Sequence, residues 1–129
     1  MSDRGSQRLR RGDRLRERRD YQRVSREGIR LNSPSFVLLV TSRRDVDQST
    51  TRLGITASRR VGPSVVRSLV KRRIREWFRH HRGELPVSKD IVVIARASAA
   101  SAAWDTLSSE LSASAAKLTS IVERNAVRG

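Results

Sequence analysis

Hydrophobic positions follow a strand-like pattern in three short segments of the chain. Residues 35–41 form an apolar run with β-branched members, residues 52–58 alternate between apolar and polar, and residues 90–95 are apolar almost throughout. Alternation with a period of two is typical of a half-buried strand, whereas a continuous apolar run indicates a strand covered on both faces. We therefore predict strands at these positions, with 90–95 central, and a further short strand over 29–32.

Two outer segments show the period of an amphipathic helix. Residues 14–27 are weakly amphipathic, with Asp13 as the expected cap and Gly28 as the expected left-handed terminator. Residues 102–124 carry apolar residues every three to four positions, with Ser101 as the expected cap, and the stretch 97–129 that contains them has no net charge. The first helix therefore adds little to the core, and the last one is predicted to be scaffold.

The third predicted helix spans 63–82 and is apolar on one side and cationic on the other. Pro63 is expected at its first position, where a missing N–H costs nothing, and Gly83 is expected to end it. Arg73 falls inside the apolar stripe, so its guanidinium must reach out to solvent. The stripe comprises Val66, Leu69, Val70, Ile74, Trp77 and Phe78, and the opposite arc comprises Arg67, Lys71, Arg72, Arg75 and Arg79.

These elements follow one another in the order α-β-β-β-α-β-α. Helices and strands mixed around one small sheet predict an α+β fold, a two-layer sandwich. With 129 residues the chain is expected to form one domain. We place that domain at 13–125, after a flexible basic tail over 1–12 and before a short tail over 126–129.

Charge is concentrated rather than spread. The formal net charge is +15, and the cations are almost all arginine. Residues 1–30 hold eleven arginines against five acids, and residues 59–82 hold nine cations against one acid. Such clusters are typical of a protein that binds a polyanion, and the arginine fork suits phosphate in particular. A membrane surface is the weaker alternative, because it would require an amphipathic helix with bulky apolar residues opposite its basic face, free to lie in lipid.

The sequence offers no convincing catalytic apparatus of its own. Cysteine is absent, which excludes disulfides and thiolate sites. The two histidines, His80 and His81, are adjacent on a helix, so they cannot readily share one metal, and we expect them to be exposed. Asp20, Glu76 and Asp90 fall in different elements. No membrane span or signal peptide is evident, and a cytoplasmic location fits.

The stretch RLGITASRRVGPSVVRSLVKRRIREWFR, residues 52–79, resembles the signature of the protein subunit of bacterial ribonuclease P. It matches the family pattern in order and without gaps, from Arg52 and Gly54 through Gly62 to Glu76 and Phe78. RLRERRDYQRVSREG over 14–28 resembles the family's first helix, and DIVVIARASA over 90–99 its late strand. The resemblance thus covers about 14–122.

Several positions depart from the family pattern. Pro63-Ser64 replaces the usual Asn-Ala, and Arg67-Ser68-Leu69 replaces Arg-Asn-Arg. Tyr21 stands where the family often has Phe, and Ser25 replaces a second Phe. The basic patch is therefore redistributed, and Tyr21 is the aromatic residue left to stack on a single-stranded RNA. An equal alternative is that Tyr21 is a core residue that only packs the first helix.

The resemblance implies a fold of the ribosomal protein S5 domain 2-like type, with a left-handed β-α-β crossover carrying the basic helix. It implies a subunit that binds a catalytic RNA and the 5′ leader of precursor tRNA, so that the RNA with Mg²⁺ removes the leader. No catalytic residue, bound cofactor, metal or small-molecule ligand is expected on the protein. The implied RNA-binding residues are Arg59, Arg60, Arg67, Lys71, Arg72, Arg75 and Arg79, and the implied leader groove comprises Tyr21, Phe36, Ile55 and Thr56.

Two other functions remain open from composition alone. A structural protein that binds ribosomal RNA would carry a similar charge, and so would a DNA-binding regulator. Readers of the DNA major groove usually present Asn or Gln near the start of the recognition helix, whereas this arc is almost purely cationic. The ordered match over 52–79 favours the ribonuclease P subunit.

Overall fold

A computed structural model describes residues 14, 15, 17–43 and 50–128 of the protein. The helices and strands alternate as the sequence predicts. They are α1 (Arg18–Glu27), β1 (Ile29–Asn32), β2 (Phe36–Ser42), β3 (Arg52–Ala57), α2 (Ser64–His81), β4 (Lys89–Ala95) and α3 (Trp104–Arg128). Short 3₁₀ turns at Arg82–Glu84 and Ala97–Ala100 flank β4. The α+β prediction is confirmed.

The four strands form one sheet in the order β1-β2-β4-β3. β1 and β2 are antiparallel, as are β2 and β4, whereas β3 and β4 are parallel and are joined by α2. The predicted central strand is β4, and most of its residues are buried. The basic helix is therefore the crossover of a β-α-β unit, as the resemblance implies; the left hand of that crossover stays a prediction.

The two faces of the sheet pack against different helices. Ile91 and Val93 of β4 belong to the main core with α2 and α3, whereas Val92 faces α1 in a smaller cluster. Alternation along the strand produces this division, because successive side chains point to opposite faces. The α1 cluster also contains Leu15, Val24, Val37 and Leu39, with Tyr21 and Ile94 beside it. α1 thus adds a short helix to the second face of the sandwich.

The first helix begins later than predicted, at Arg18 rather than residue 14. Leu15 instead pairs with the sheet, and its N–H donates to the Leu53 carbonyl at 2.9 Å. The left-handed conformation predicted for Gly28 is wrong, because its φ is −75°. Glycine is needed there for space: an added Cβ would lie 2.5 Å from the Val24 carbonyl oxygen. Asp13 and the tail over 1–12 lie outside the described residues.

α2 differs from its prediction in two details. Pro63 is the cap rather than the first helical residue, and Gly62 before it has φ +148°, a conformation that favours glycine. Leu69, predicted in the apolar stripe, is 45% exposed. The buried stripe is centred on Val70, Ile74, Trp77 and Phe78. Leu69 lies at its margin, and Arg73 is half-buried beside it.

α3 begins three residues after Ser101, so the predicted cap is wrong. Ser101 instead follows the 3₁₀ turn Ala97–Ala100, and its N–H donates to the Ser98 carbonyl at 3.3 Å. The helix also continues through Arg128, which makes residues 126–128, predicted as tail, part of α3. Leu107, Leu111 and Leu118 are buried, as the scaffold role requires.

Candidate nucleic-acid interface

Four cations follow one another along α2 at intervals of four residues. Arg67, Lys71, Arg75 and Arg79, here called the cationic row, are all partly buried at their stems, since long side chains lie along the helix while the charged ends reach solvent. Arg67 is held at the start of the helix, where its Nε donates to the Gly62 carbonyl at 3.1 Å. Arg72 is exposed beside the row. The helix thus presents a line of donors suited to a phosphate backbone.

Two further cations precede α2 in a tight turn. Arg59 and Arg60 are exposed, whereas Val61 is buried and anchors the turn in the main core. The turn is closed by hydrogen bonds from Val61 N to the Ser58 carbonyl at 3.0 Å and from Gly62 N to the Arg59 carbonyl at 3.1 Å. All seven predicted RNA-binding cations therefore lie on α2 or on the turn that leads into it.

Like charges crowd the centre of the cationic row. The pKa of Arg75 is lowered, first by burial and then by the positive charge of Arg14. Arg14 lies before α1, and it reaches this place because it forms a parallel bridge with Leu53 at the edge of β3. Repulsion between neighbouring cations is relieved when an anion binds, so this arrangement favours a polyanionic ligand.

One carboxylate, Glu76, stands within α2. It accepts a hydrogen bond from Arg79 at 2.7 Å, and this bond is the largest of the interactions that lower its pKa. His80 lies 3.6 Å from the same carboxylate. Glu76 therefore competes with any phosphate for Arg79.

A shallow groove lies between α1 and the other face of the sheet. Tyr21 and Thr56, two of the four predicted leader-binding residues, line it together with Val92 and Ile94. We call it the α1 groove; its wall on the helix side is formed by Arg18, Gln22, Ser25 and Arg26. An aromatic ring, apolar strand residues and flanking arginines are the combination that binds single-stranded nucleic acid.

Tyr21 is held firmly at the edge of the α1 groove. Its hydroxyl donates to the Leu15 carbonyl at 3.1 Å, and its ring lies against Gly54, where an added Cβ would be 2.6 Å from the phenolic oxygen. Burial raises the pKa of Tyr21, while a hydrogen bond from the Ile55 backbone opposes this. Tyr21 is half-buried, so it both packs α1 and lines the groove.

The prediction that Phe36 and Ile55 share this groove is wrong. Phe36 is 0% exposed and belongs to the main core, and Ile55 packs against the same core. Both point to the face covered by α2 and α3, opposite to Tyr21. The cause is the period of two: in β3, Thr56 faces α1, so its neighbour Ile55 faces away.

The structure also joins charged residues that the sequence left in separate elements. Asp90 on β4 is 0% exposed and accepts two hydrogen bonds from Arg52 on β3, at 2.7 and 2.8 Å. It also accepts a hydrogen bond from Arg23 on α1. Asp20 lies 4.0 Å from both arginines. The sequence signal for this buried cluster is the carboxylate of Asp90 at the start of the apolar run 90–95. A charged group buried among apolar residues must be paired.

The histidines have different surroundings. His80 is exposed, as predicted, but His81 stacks on Trp77 with ring centroids 4.5 Å apart and its Nδ1 lies 2.8 Å from the Trp77 carbonyl oxygen.

Within the described ranges, no three His, Cys, Asp or Glu side chains converge as a metal site would require. In the same part of the chain, no helix is both long and apolar enough to cross a bilayer.

Comparison with known proteins agrees with this geometry. The family model described as ribonuclease P matches residues 9–119. A ribonuclease P protein component from Syntrophobacter fumaroxidans is 42% identical over 94 residues, which cover 72% of this chain and 76% of that protein. One from Staphylococcus aureus is 36% identical over 83 residues, covering 64% of this chain and 70% of that protein.

Solved structures of ribonuclease P proteins share the fold. The Staphylococcus aureus protein superposes with a TM-score of 0.72 at 29% identity, covering 85% of this chain and 94% of that one. The Thermotoga maritima protein superposes with a TM-score of 0.71 at 33% identity, covering 79% and 94%. None of these comparisons favours a ribosomal or DNA-binding protein. The chain belongs to the ribonuclease P protein family, the protein components of an endoribonuclease that processes tRNA.

Proposed function

We propose that the chain binds the catalytic RNA of ribonuclease P through α2 and holds the 5′ leader of precursor tRNA in the α1 groove. The observation that carries the proposal is the placement of these two surfaces around one edge strand. α2 packs on the main-core face of β3, and Tyr21 packs on the other face against Gly54. An RNA lying along α2 and a strand lying in the groove would therefore meet at β3.

The roles of the side chains follow from their chemistry. The cationic row, with Arg59, Arg60 and Arg72, would contact phosphates of the catalytic RNA, and such contacts carry little sequence information. Tyr21 would stack on a leader base while Thr56 and Ile94 line the floor, and stacking tolerates any base. Phosphate contacts and stacking both tolerate any base sequence, so they suit a leader of variable sequence.

The protein would lower repulsion between two RNAs rather than break the phosphodiester bond. The proposal assigns hydrolysis and Mg²⁺ to the RNA subunit, as the family resemblance implies. The proposed function involves no membrane and no small-molecule ligand, and we place it in the cytoplasm. Accumulated cations raise the local affinity of one polyanion for another, most strongly at low salt.

Reconstitution with the catalytic RNA of the same organism tests the proposal. The triple variant Arg67→Ala, Lys71→Ala, Arg75→Ala should bind that RNA less tightly, and the plot of log K against log salt should lose about one unit of slope per phosphate contact. Cleavage of precursor tRNA by the protein without RNA, or an unchanged salt slope, would show that the proposal is wrong.

Leader binding is tested separately in the same system. Tyr21→Ala should weaken binding of precursor tRNA with a long leader while leaving tRNA with a one-nucleotide leader unaffected. Removing one base–aromatic stack costs about 1–3 kcal/mol, or roughly five- to 150-fold in affinity. Phe36→Leu is the matched control, because Phe36 is buried on the opposite face. An equal effect of both variants would contradict the α1 groove as the leader site.

A further inference from the structure

The residues just before α1 are fastened to the open edge of the sheet. β3 is the last strand in the sheet order, and Leu15 pairs with it through the hydrogen bond from its N–H to the Leu53 carbonyl. The Leu15 side chain is 3% exposed and packs in the α1 cluster. Arg14, which bridges to Leu53 in parallel, is therefore held at the outer edge of β3 with its side chain exposed.

The hydroxyl of Tyr21 completes this attachment. It donates to the Leu15 carbonyl at 3.1 Å, so Leu15 is bound through its N–H on one side and its C=O on the other. A phenylalanine, which the family pattern often has at this position, would keep the ring against Gly54 but would have no donor for Leu15. The hydroxyl therefore serves the N-terminal segment rather than the α1 groove.

Arg14 is bridged to β3, the strand against which α2 and its cationic row pack. α2 packs against β3, with Ile74 and Leu53 lining the same core cavity, and Arg75 follows Ile74 on the helix. The charge of Arg14 lowers the pKa of Arg75, as expected for two cations brought close together. Among the described residues, neither arginine forms an ion pair with a carboxylate. Arg14 is exposed and Arg75 is partly exposed, so within the described part of the chain both charges are open to a ligand without a paired carboxylate.

We propose that Arg14 and Arg75 form a two-arginine site for one backbone phosphate of the bound RNA, and that the Tyr21 hydroxyl is the positioning group that holds Arg14 in it. The inference rests on the proposed function, since it takes RNA as the ligand of α2. A phosphate between the two arginines accepts charge-assisted hydrogen bonds from both, and it removes their mutual repulsion. Arg14 is thereby added to the seven cations predicted from the sequence.

The test compares Arg14→Ala, Tyr21→Phe and the double variant in binding to the catalytic RNA over a range of salt concentrations. Arg14→Ala should reduce the slope of log K against log salt by about one unit. Tyr21→Phe keeps the aromatic ring and should weaken binding by about three- to tenfold, the usual worth of one hydrogen bond. The double variant should match Arg14→Ala alone, because the hydroxyl acts only through Arg14.

Arg124→Ala is the charge-matched control, since it removes one exposed cation from α3. Amide hydrogen exchange gives a readout without RNA: the Leu15 N–H should exchange faster in Tyr21→Phe than in the wild type. Equal effects of Arg14→Ala and Arg124→Ala, additive effects of the two single changes, or unchanged exchange at Leu15 would each overturn the inference. A wild-type protein that does not bind the catalytic RNA would instead overturn the proposed function.

Discussion

Arg52 and Asp90, on the neighbouring parallel strands β3 and β4, are joined by two hydrogen bonds, Nε to Oδ1 at 2.7 Å and Nη2 to Oδ2 at 2.8 Å. The same carboxylate accepts a hydrogen bond from Arg23 of α1. Because Asp90 is fully buried, this cluster ties the helix that carries Tyr21 to the strand that carries Gly54. The wall and the floor of the α1 groove are thus linked through one carboxylate.

Removing that carboxylate should destabilise the whole domain. Asp90→Asn leaves two arginines without their shared anion, and breaking a buried pair in this way costs about 3–5 kcal/mol. Urea unfolding followed by tryptophan fluorescence measures the loss. Arg19→Ala is the control, because the Arg19–Glu17 pair is largely exposed and should be worth less than about 1 kcal/mol. Equal losses would mean that the buried cluster does not stabilise the fold.

Gly54→Ala should displace the ring of Tyr21. The added methyl group would lie 2.6–2.8 Å from three atoms of that side chain, so either Tyr21 moves or the strand does. Overpacking of this kind costs about 1–3 kcal/mol, and binding of long-leader precursor tRNA should fall with it. Gly83→Ala is the matched control, since nothing lies within 4 Å of its added Cβ. Full leader affinity in Gly54→Ala would show that the ring position does not matter.

Glu110 of α3 should make stability depend on pH in the acid range. Burial raises its pKa, but hydrogen bonds from Ser33 and Ser35 outweigh this, so the pKa is lowered overall. A carboxyl with a lower pKa in the folded state stabilises the fold above its unfolded pKa, near 4.3. That stabilisation is lost as the pH falls through the lower, folded pKa.

Glu110→Gln should therefore flatten the acid limb of the stability curve. We expect the difference in unfolding free energy between wild type and variant to be about 1–3 kcal/mol at pH 7, and to shrink below about pH 4. Unfolding in urea at a series of pH values measures it. A difference that stays constant from pH 7 to pH 3 would contradict ionisation of Glu110 as its source.

Glu76→Gln should strengthen RNA binding. The change removes the carboxylate that engages Arg79 at 2.7 Å, and it takes one negative charge away from the surface proposed to meet phosphates. We expect a gain of about two- to tenfold in affinity for the catalytic RNA at low salt, decreasing as salt screens the charges. Glu123→Gln on α3 makes the same change of charge at an exposed position and should have a smaller effect. Equal gains would indicate a general charge effect.

Local pattern was enough to predict the elements and the cationic row. Strands were placed within a residue or two because alternation and apolar runs reflect burial on one face or two. Arg67, Lys71, Arg75 and Arg79 could be assigned to one side of a helix because their spacing of four residues matches its turn. Helix ends follow less directly from the sequence, because Gly28, Pro63 and Ser101 each carry a terminal signal that the chain uses differently.

The tertiary structure alone decided which residues meet across elements. Phe36 and Tyr21 are on opposite faces of the sheet because strand register and alternation, rather than residue type, determine the face. Arg23, Arg52 and Asp90 come from three separate elements. The charge of Arg14 acts on the pKa of Arg75 because residues before α1 pair with β3 instead of extending the helix. Such contacts depend on long-range packing, which a local pattern does not encode, whereas charge and periodicity are properties of the chain itself.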